Sequence, residues 1–156
     1  ENKVPFIAAV ETNASGHPVR VVFSPVEAFS LTEVKNWAHL HLAPSATVVS
    51  DGLSCFSAVT EVGCHHEPQV VGKARRSTDM SCFHWINTLL GNLKTSINGT
   101  YHAFDFRKYA YRYLSETQYR FNRRFDLKII LRRLIRAAAT TGKRPEVWLR
   151  LAEAQR

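Results

Sequence analysis

Asn87 and Lys94 stand seven residues apart in a stretch that reads as a helix from about Met80 to Asn98. At 3.6 residues per turn such positions fall nearly in register, so His84, Asn87, Gly91 and Lys94 share one polar stripe. Phe83, Ile86, Leu90, Leu93 and Ile97 form the opposing apolar stripe, which should face a core. A solvated helix face has the same look, so spacing alone leaves that reading open. Asp51 adds a second piece. It follows Thr47-Val48-Val49, a short β-branched run that reads as a strand ending in Ser50-Asp51-Gly52. Loops at the C-terminal ends of α/β strands collect functional side chains. A carboxylate there, with an oxygen-bearing side chain on a nearby helix, suits magnesium, because hard cations take oxygen ligands and keep several waters. One carboxylate is too few for a two-metal phosphoryl-transfer centre. The spare acids of the second half, Asp79 and Glu116, read as a surface residue or a helix cap.

A basic, aromatic segment is the other constellation. Residues 105 to 136 hold ten basic residues, among them Arg120, Arg123, Arg124, Arg132 and Arg133, against the three acids Asp105, Glu116 and Asp126. Phe106, Tyr109, Tyr113 and Phe121 recur at helical spacing and read as core. Arginines at the rim of such a face meet phosphates, although a plain solvated basic surface would have the same composition. The charge is polarised along the chain. Residues 1–71 carry three basic and seven acidic residues, net −4, and residues 72–156 carry 18 and 6, net +12. A directed field of that kind points to a polyanion, usually nucleic acid.

Two other chemistries fare worse. A zinc site would recruit Cys64, His65, His66 and Cys82, but no Cys-x-x-Cys pair is present and the two histidines are adjacent. A nucleophilic Cys55 lacks a base nearby in sequence and falls on an apolar helix, and no Gly-x-Ser-x-Gly elbow exists. Cys55, Cys64 and Cys82 are an odd set for a disulfide framework and read as small core residues of a reducing compartment.

The elements that must position these residues follow from pattern. Val4–Thr12 and Pro18–Ser24 are apolar runs joined by Asn13-Ala14-Ser15-Gly16-His17, a hairpin with two buried strands. Ser30-Leu31-Thr32-Glu33 is a capping box opening a helix that buries Val34, Trp37, Ala38 and Leu42 before Pro44. Leu53–Val62 reads as helical with Gly63 as its cap, Gln69-Val70-Val71 as one more strand, and residues 72–79 as a basic loop. Helices then span Met80–Asn98, Asp105–Arg124 and Leu127–Thr140. Strands first and helices later, with one αβα passage between, give an α+β or three-layer α/β domain. With 156 residues, 45% of them hydrophobic, one domain is expected, its sheet-rich half at residues 1–71 and its basic helical half at 80–141. No apolar run approaches the roughly 18 residues that span a bilayer, so no membrane partner and a cytoplasmic location are expected. The chain opens mid-pattern without Met and reads as part of a longer protein.

Taken together in order, Ser-Asp51-Gly, the run Phe83-His-Trp-Ile-Asn-Thr-Leu-Leu-Gly-Asn-Leu-Lys94, Gly99-Thr-Tyr-His102, Tyr113-Leu and Tyr119-Arg-Phe-Asn-Arg-Arg124 resemble the catalytic domain of small bacterial insertion-sequence transposases. These are DDE-type enzymes with a ribonuclease-H-like fold, in the branch whose third acidic position can be Asn. The resemblance runs from about Lys3 to Glu153. It implies Asp51 as second metal ligand, Asn87 as third, Lys94 as a contact to the processed DNA, and Arg120, Arg123, Arg124, Arg132 and Arg133 as DNA-backbone contacts. It also implies two Mg2+ or Mn2+ ions, hydrolysis at the element's ends with strand transfer to target DNA, and a homodimer or higher assembly. The family's first Asp precedes the hairpin and has no counterpart here. The chain is therefore expected to lack that carboxylate and a central strand, and to be inactive alone. The rival is a non-catalytic DNA-binding or assembly module with a vestigial metal site.

Overall fold

The computed structural model describes residues 3–70, 80–100 and 105–151. Strands β1 (Phe6–Thr12) and β2 (Pro18–Pro25) form an antiparallel hairpin with Ala8 opposite Phe23 and Val10 opposite Val21. Its loop closes as the sequence suggests. The Asn13 carboxamide oxygen accepts from the Ser15 and His17 N–H groups at 3.0 and 2.9 Å, and Gly16 takes φ +75°, a left-handed conformation that glycine adopts without penalty.

Both faces of this hairpin are buried, because alternate side chains point to opposite sides. Ile7, Ala9 and Val22 pack against helix α1 (Leu31–His41) and the 3-10 segment Ser54–Val62, through Val34, Trp37, Ala38, Cys55, Ala58 and Val59. Phe6, Ala8, Val10, Val21 and Phe23 pack against helices α2 (His84–Thr100) and α3 (Phe106–Asn122), through Leu89, Leu93, Ala110 and Leu114. Ser30 caps α1 by accepting from the Glu33 N–H at 3.2 Å, and the Trp37 indole donates to the Ser24 hydroxyl at 3.1 Å, tying α1 to β2. Strand β3 (Thr47–Ser50) pairs in parallel with β4 (His65–Pro68), and Val48 joins the α1 side of the core. Helix α4 (Leu127–Thr140) follows Asp126, whose carboxylate accepts from the Ile129 N–H, and α5 (Glu146–Leu151) follows it.

The outer edge of β2 is closed by side chains instead of a strand. The Val21 N–H donates to Asn122 Oδ1 at 2.8 Å, Asn122 Nδ2 donates back to the Val21 carbonyl at 2.9 Å, and the Phe23 N–H donates to Gln118 Oε1 at 2.8 Å. Two amides one turn apart on α3 thus take the place of a neighbouring backbone and remove a template for edge pairing.

The structure corrects several expectations. Among the described residues the strands form two separate two-stranded ladders, one antiparallel and one parallel, where the ribonuclease-H-like resemblance implies one mixed sheet flanked by helices. The fourth strand is His65–Pro68, not Gln69–Val71; Gln69 and Val70 lie beyond it, and Val71 with the basic loop falls outside the described residues. On α3 the fully buried positions are Ala110 and Leu114; Tyr109 and Tyr113 are half-buried beside them. Leu89 joins Leu93 as the buried pair of α2. Cys82 is exposed, whereas Cys55 and Cys64 are buried.

Asn122→Ala leaves the N–H and C=O of buried Val21 unpaired, so the urea midpoint should fall by the equivalent of about 1–3 kcal/mol, with a smaller loss for Gln118→Ala; an unchanged midpoint would show that water closes this edge as well. Under native conditions one thiol, Cys82, should react quickly with an aromatic disulfide reagent, and the other two only on unfolding. Burial pushes the Cys55 thiol up from its ordinary value, with the Asp51 carboxylate adding to the shift against a backbone hydrogen bond that lowers it.

Candidate metal and nucleic-acid site

Asp51 emerges one residue past β3, and the turn that holds it is built by its neighbours. Ser50 is buried, and its hydroxyl meets His66 Nε2 of β4 at 2.9 Å, which pins the strand end. Gly52 has φ +83°, and a Cβ there would lie 3.2 Å from Val70 Cγ2, so any other residue would meet both backbone strain and a close contact. Asp51 itself is exposed, and its Oδ1 accepts from the Leu53 N–H at 3.2 Å, an Asx turn that orients the carboxylate. The second oxygen of the carboxylate is not part of that turn.

Asn87 and Lys94 lie on α2 two turns apart, Asn87 half-buried and Lys94 exposed, with exposed His84 and Gly91 in the same stripe. Helix α2 packs on β1 from one side of the hairpin, whereas β3 belongs with β4 and the 3-10 segment on the other. The three residues therefore come from two layers. Their donor set is oxygen only, one carboxylate and one amide carbonyl, which fits a hard divalent cation better than zinc. Among the described residues no three His, Cys, Asp or Glu side chains gather into a metal-binding group. The alternative zinc set is dispersed: His66 is engaged with Ser50, and His65 lies 3.7 Å from Glu67. Asp79 lies outside the described residues, as do Tyr101 and His102.

The arginines divide by environment. Arg120 is exposed and lies 3.4 Å from Glu116 one turn back. The Arg123 guanidinium lies over the Tyr119 ring at 4.2 Å. Arg124 donates to the carbonyls of Pro18, Val19 and Phe121 and is flanked by Phe121 and Phe125 rings at 3.8 and 4.2 Å, and burial lowers its pKa from the ordinary arginine value. It fastens the end of α3 to the hairpin. Arg132 and Arg133 are exposed on α4. Arg20, Arg123 and Arg133, with Glu11 and Asp126, line a hollow of about 600 Å³ between the hairpin and the start of α4. Sequence reasoning missed Gln118, Asn122 and the Ser50–His66 pair. The only signal for the first two was their i, i+4 spacing.

The profile of the ISXO2-like transposase domain matches residues 1–122, more than three quarters of the chain. The chain belongs to that family. No curated protein and no solved structure shows a significant match. Membership of a transposase family implies DNA as partner and suggests nucleotidyl transfer at the family level, and such families generally use a divalent metal. The matched region takes in Asp51, Asn87, Lys94, Arg120 and the α3 amides, and stops before α4. No helix among the described residues is long and apolar enough to cross a membrane.

A conservative exchange at Arg124 should not be silent. Arg124→Lys cannot reach three carbonyls and stack between two rings, so it should lower the thermal midpoint by several degrees, while Arg120→Lys should leave it within a degree.

Proposed function

We propose that this domain is the catalytic core of a transposase that nicks DNA at the ends of its element and joins the freed 3′-hydroxyl to target DNA. The observation that carries the reading is the placement of Asp51 in a rigid, glycine-dependent turn at a strand end, with Asn87 and Lys94 in register on α2, inside a chain of the transposase family. Asp51 and Asn87 would hold divalent ions, which would supply Lewis-acid stabilisation of charge on the attacking and leaving oxygens. Lys94, one compact positive charge on the exposed stripe, orients the phosphate next to the scissile bond. Arg120 and Arg123, then Arg132 and Arg133 along α4, follow the DNA backbone, and Arg124 keeps their platform fixed to the hairpin. Helical layers on both faces of the hairpin, with a parallel ladder beside it, support a ribonuclease-H-like arrangement.

In the full-length parent protein, magnesium- or manganese-dependent nicking of element ends should be lost in Asp51→Asn and Asn87→Ala, and with chelator, while DNA affinity changes less than about threefold. Retained nicking in Asp51→Asn would sink the catalytic assignment. DNA binding without cleavage in any metal would instead favour a binding module with a vestigial site. Arg123→Ala should weaken binding to all sequences alike and reduce the salt slope by about one unit.

The domain also self-associates through α4 in this reading. On that helix Leu127, Leu131, Leu134 and Ile135 are 59–70% exposed and none of its residues is buried. They gather on one face, with Lys128, Arg132, Arg133 and Arg136 on the other. A 14-residue helix with an open apolar stripe is marginal alone and favours a partner. Leu131→Glu with Leu134→Glu should shift the sedimenting species from dimer to monomer; an unchanged mass would remove α4 from the interface.

A further inference from the structure

On the flank of α2 away from Asn87 and Lys94 lies a second hollow, of about 310 Å³, where that helix meets the hairpin turn and the end of α3. Trp85 and Lys94 are nine residues apart and so point to opposite sides of α2. Trp85, Leu89 and Phe121 belong to a largely apolar lining; Asn92 and His17 add polar groups, and Arg124 and Phe125 complete it. The wall is fixed. The Trp85 indole donates to the Gly16 carbonyl at 2.7 Å, and Arg124 is held by three carbonyls with its guanidinium 4.2 Å from the Phe125 ring. Phe125 is nevertheless 85% exposed, which leaves an aromatic face open above a fixed cation.

We propose that this hollow receives a single unpaired nucleobase of the bound DNA, stacked on Phe125. Its volume is at the low end for small-molecule sites, about 300 to 1,000 Å³, enough for one base and too small for duplex or a protein segment. Stacking on an aromatic ring is available to any base, and a guanidinium behind the ring adds to it. The Asn92 amide offers a donor and an acceptor to a base edge. Charge selects DNA as the source of that base. Phe125 also borders the neighbouring hollow, whose Arg20, Arg123 and Arg133 outnumber Glu11 and Asp126 and provide a track for the phosphates on either side of the displaced nucleotide. The enzyme would thereby hold the strand locally unpaired, a state whose cost is a lost stack that the protein replaces.

The inference rests on the reading of the domain as DNA-binding, and the test separates the two. The full-length protein is titrated with a single-stranded oligothymidylate and with an abasic strand of the same length and charge. The base-bearing strand should bind more tightly. Phe125→Ala should cut affinity for it by roughly 5- to 100-fold with little change for the abasic strand, and Phe125→Trp should keep the difference. Phe125 lies outside the buried clusters, and Phe125→Trp keeps a ring against Arg124, so the two variants together separate base stacking from anchoring. A strand carrying 2-aminopurine should lose fluorescence on binding the wild type and much less on binding Phe125→Ala. Equal affinity for both strands, or a base preference unaffected by Phe125→Ala, overturns the pocket while leaving DNA binding standing. Loss of self-association in Phe125→Ala with base preference unchanged would give the ring to a second copy instead and overturn the proposal too. Failure to bind either strand while duplex element ends are still bound overturns the pocket alone, and failure to bind the duplex as well removes the DNA reading with it.

Discussion

Everything in this domain hangs on a two-stranded hairpin that is buried on both faces. Such a hairpin has no stability of its own in water, and here it gains it from three sides at once. One helical layer takes Ile7 and Ala9, the other takes Val21 and Phe23, and the α3 amides take the backbone of β2. Each contribution depends on strand register, because a slip of one residue would exchange the two faces and move the Val21 and Phe23 N–H groups away from their acceptors. The hairpin therefore acts as the common reference to which α1, α2 and α3 are all aligned.

That alignment is what gives a candidate site its members from different layers. Asp51 belongs to the side of α1, and Asn87 and Lys94 to the side of α2, so their relation passes through the hairpin core and not through any direct local structure. The local devices are modest: a buried serine bonded to a histidine, a glycine with a left-handed backbone, an Asx turn. They fix the direction of one carboxylate. The charge asymmetry acts over longer distances, because a net −4 first half and a net +12 second half set up a field directed along the chain.

Much of this could be read from pattern. The hairpin loop, the Ser30 cap and the limits of α4 were legible because each is a local decision: Asn13 to His17 make the turn, Ser30 and Glu33 make the cap, and the helical pattern of Leu127–Thr140 breaks before Gly142 and Pro145. The polar stripe of α2 and the strand-end position of Asp51 were legible for the same reason. The fourth strand was not. His65-His66-Glu67-Pro68 has little strand propensity, and its extended form comes from parallel pairing with β3, a tertiary effect. Gln118 and Asn122 were read only as polar residues of a helix, because nothing in a single sequence reveals that two amides will meet a strand edge about a hundred residues away. Ala110 packs with Val21 and Phe23 of β2, whereas Tyr109 and Tyr113 stay half-buried beside it, a choice of face that helical spacing of aromatics does not decide.

The amide closure of β2 also restricts how the domain can move. Helix α3 is bonded to the strand at two successive turns and bolted at its end by Arg124, so it cannot slide along the sheet by a turn, nor roll, without breaking several hydrogen bonds together. Hairpin and α3 form one rigid member. Any rearrangement that accompanies loading of a substrate must therefore pivot beyond the Arg124 anchor, and α4, none of whose residues is buried, is the described element with least packing to hold it. Arg120 and Arg123, on the anchored side, keep a fixed spacing to the hairpin, whereas the spacing of Arg132 and Arg133 to it depends on how α4 is seated.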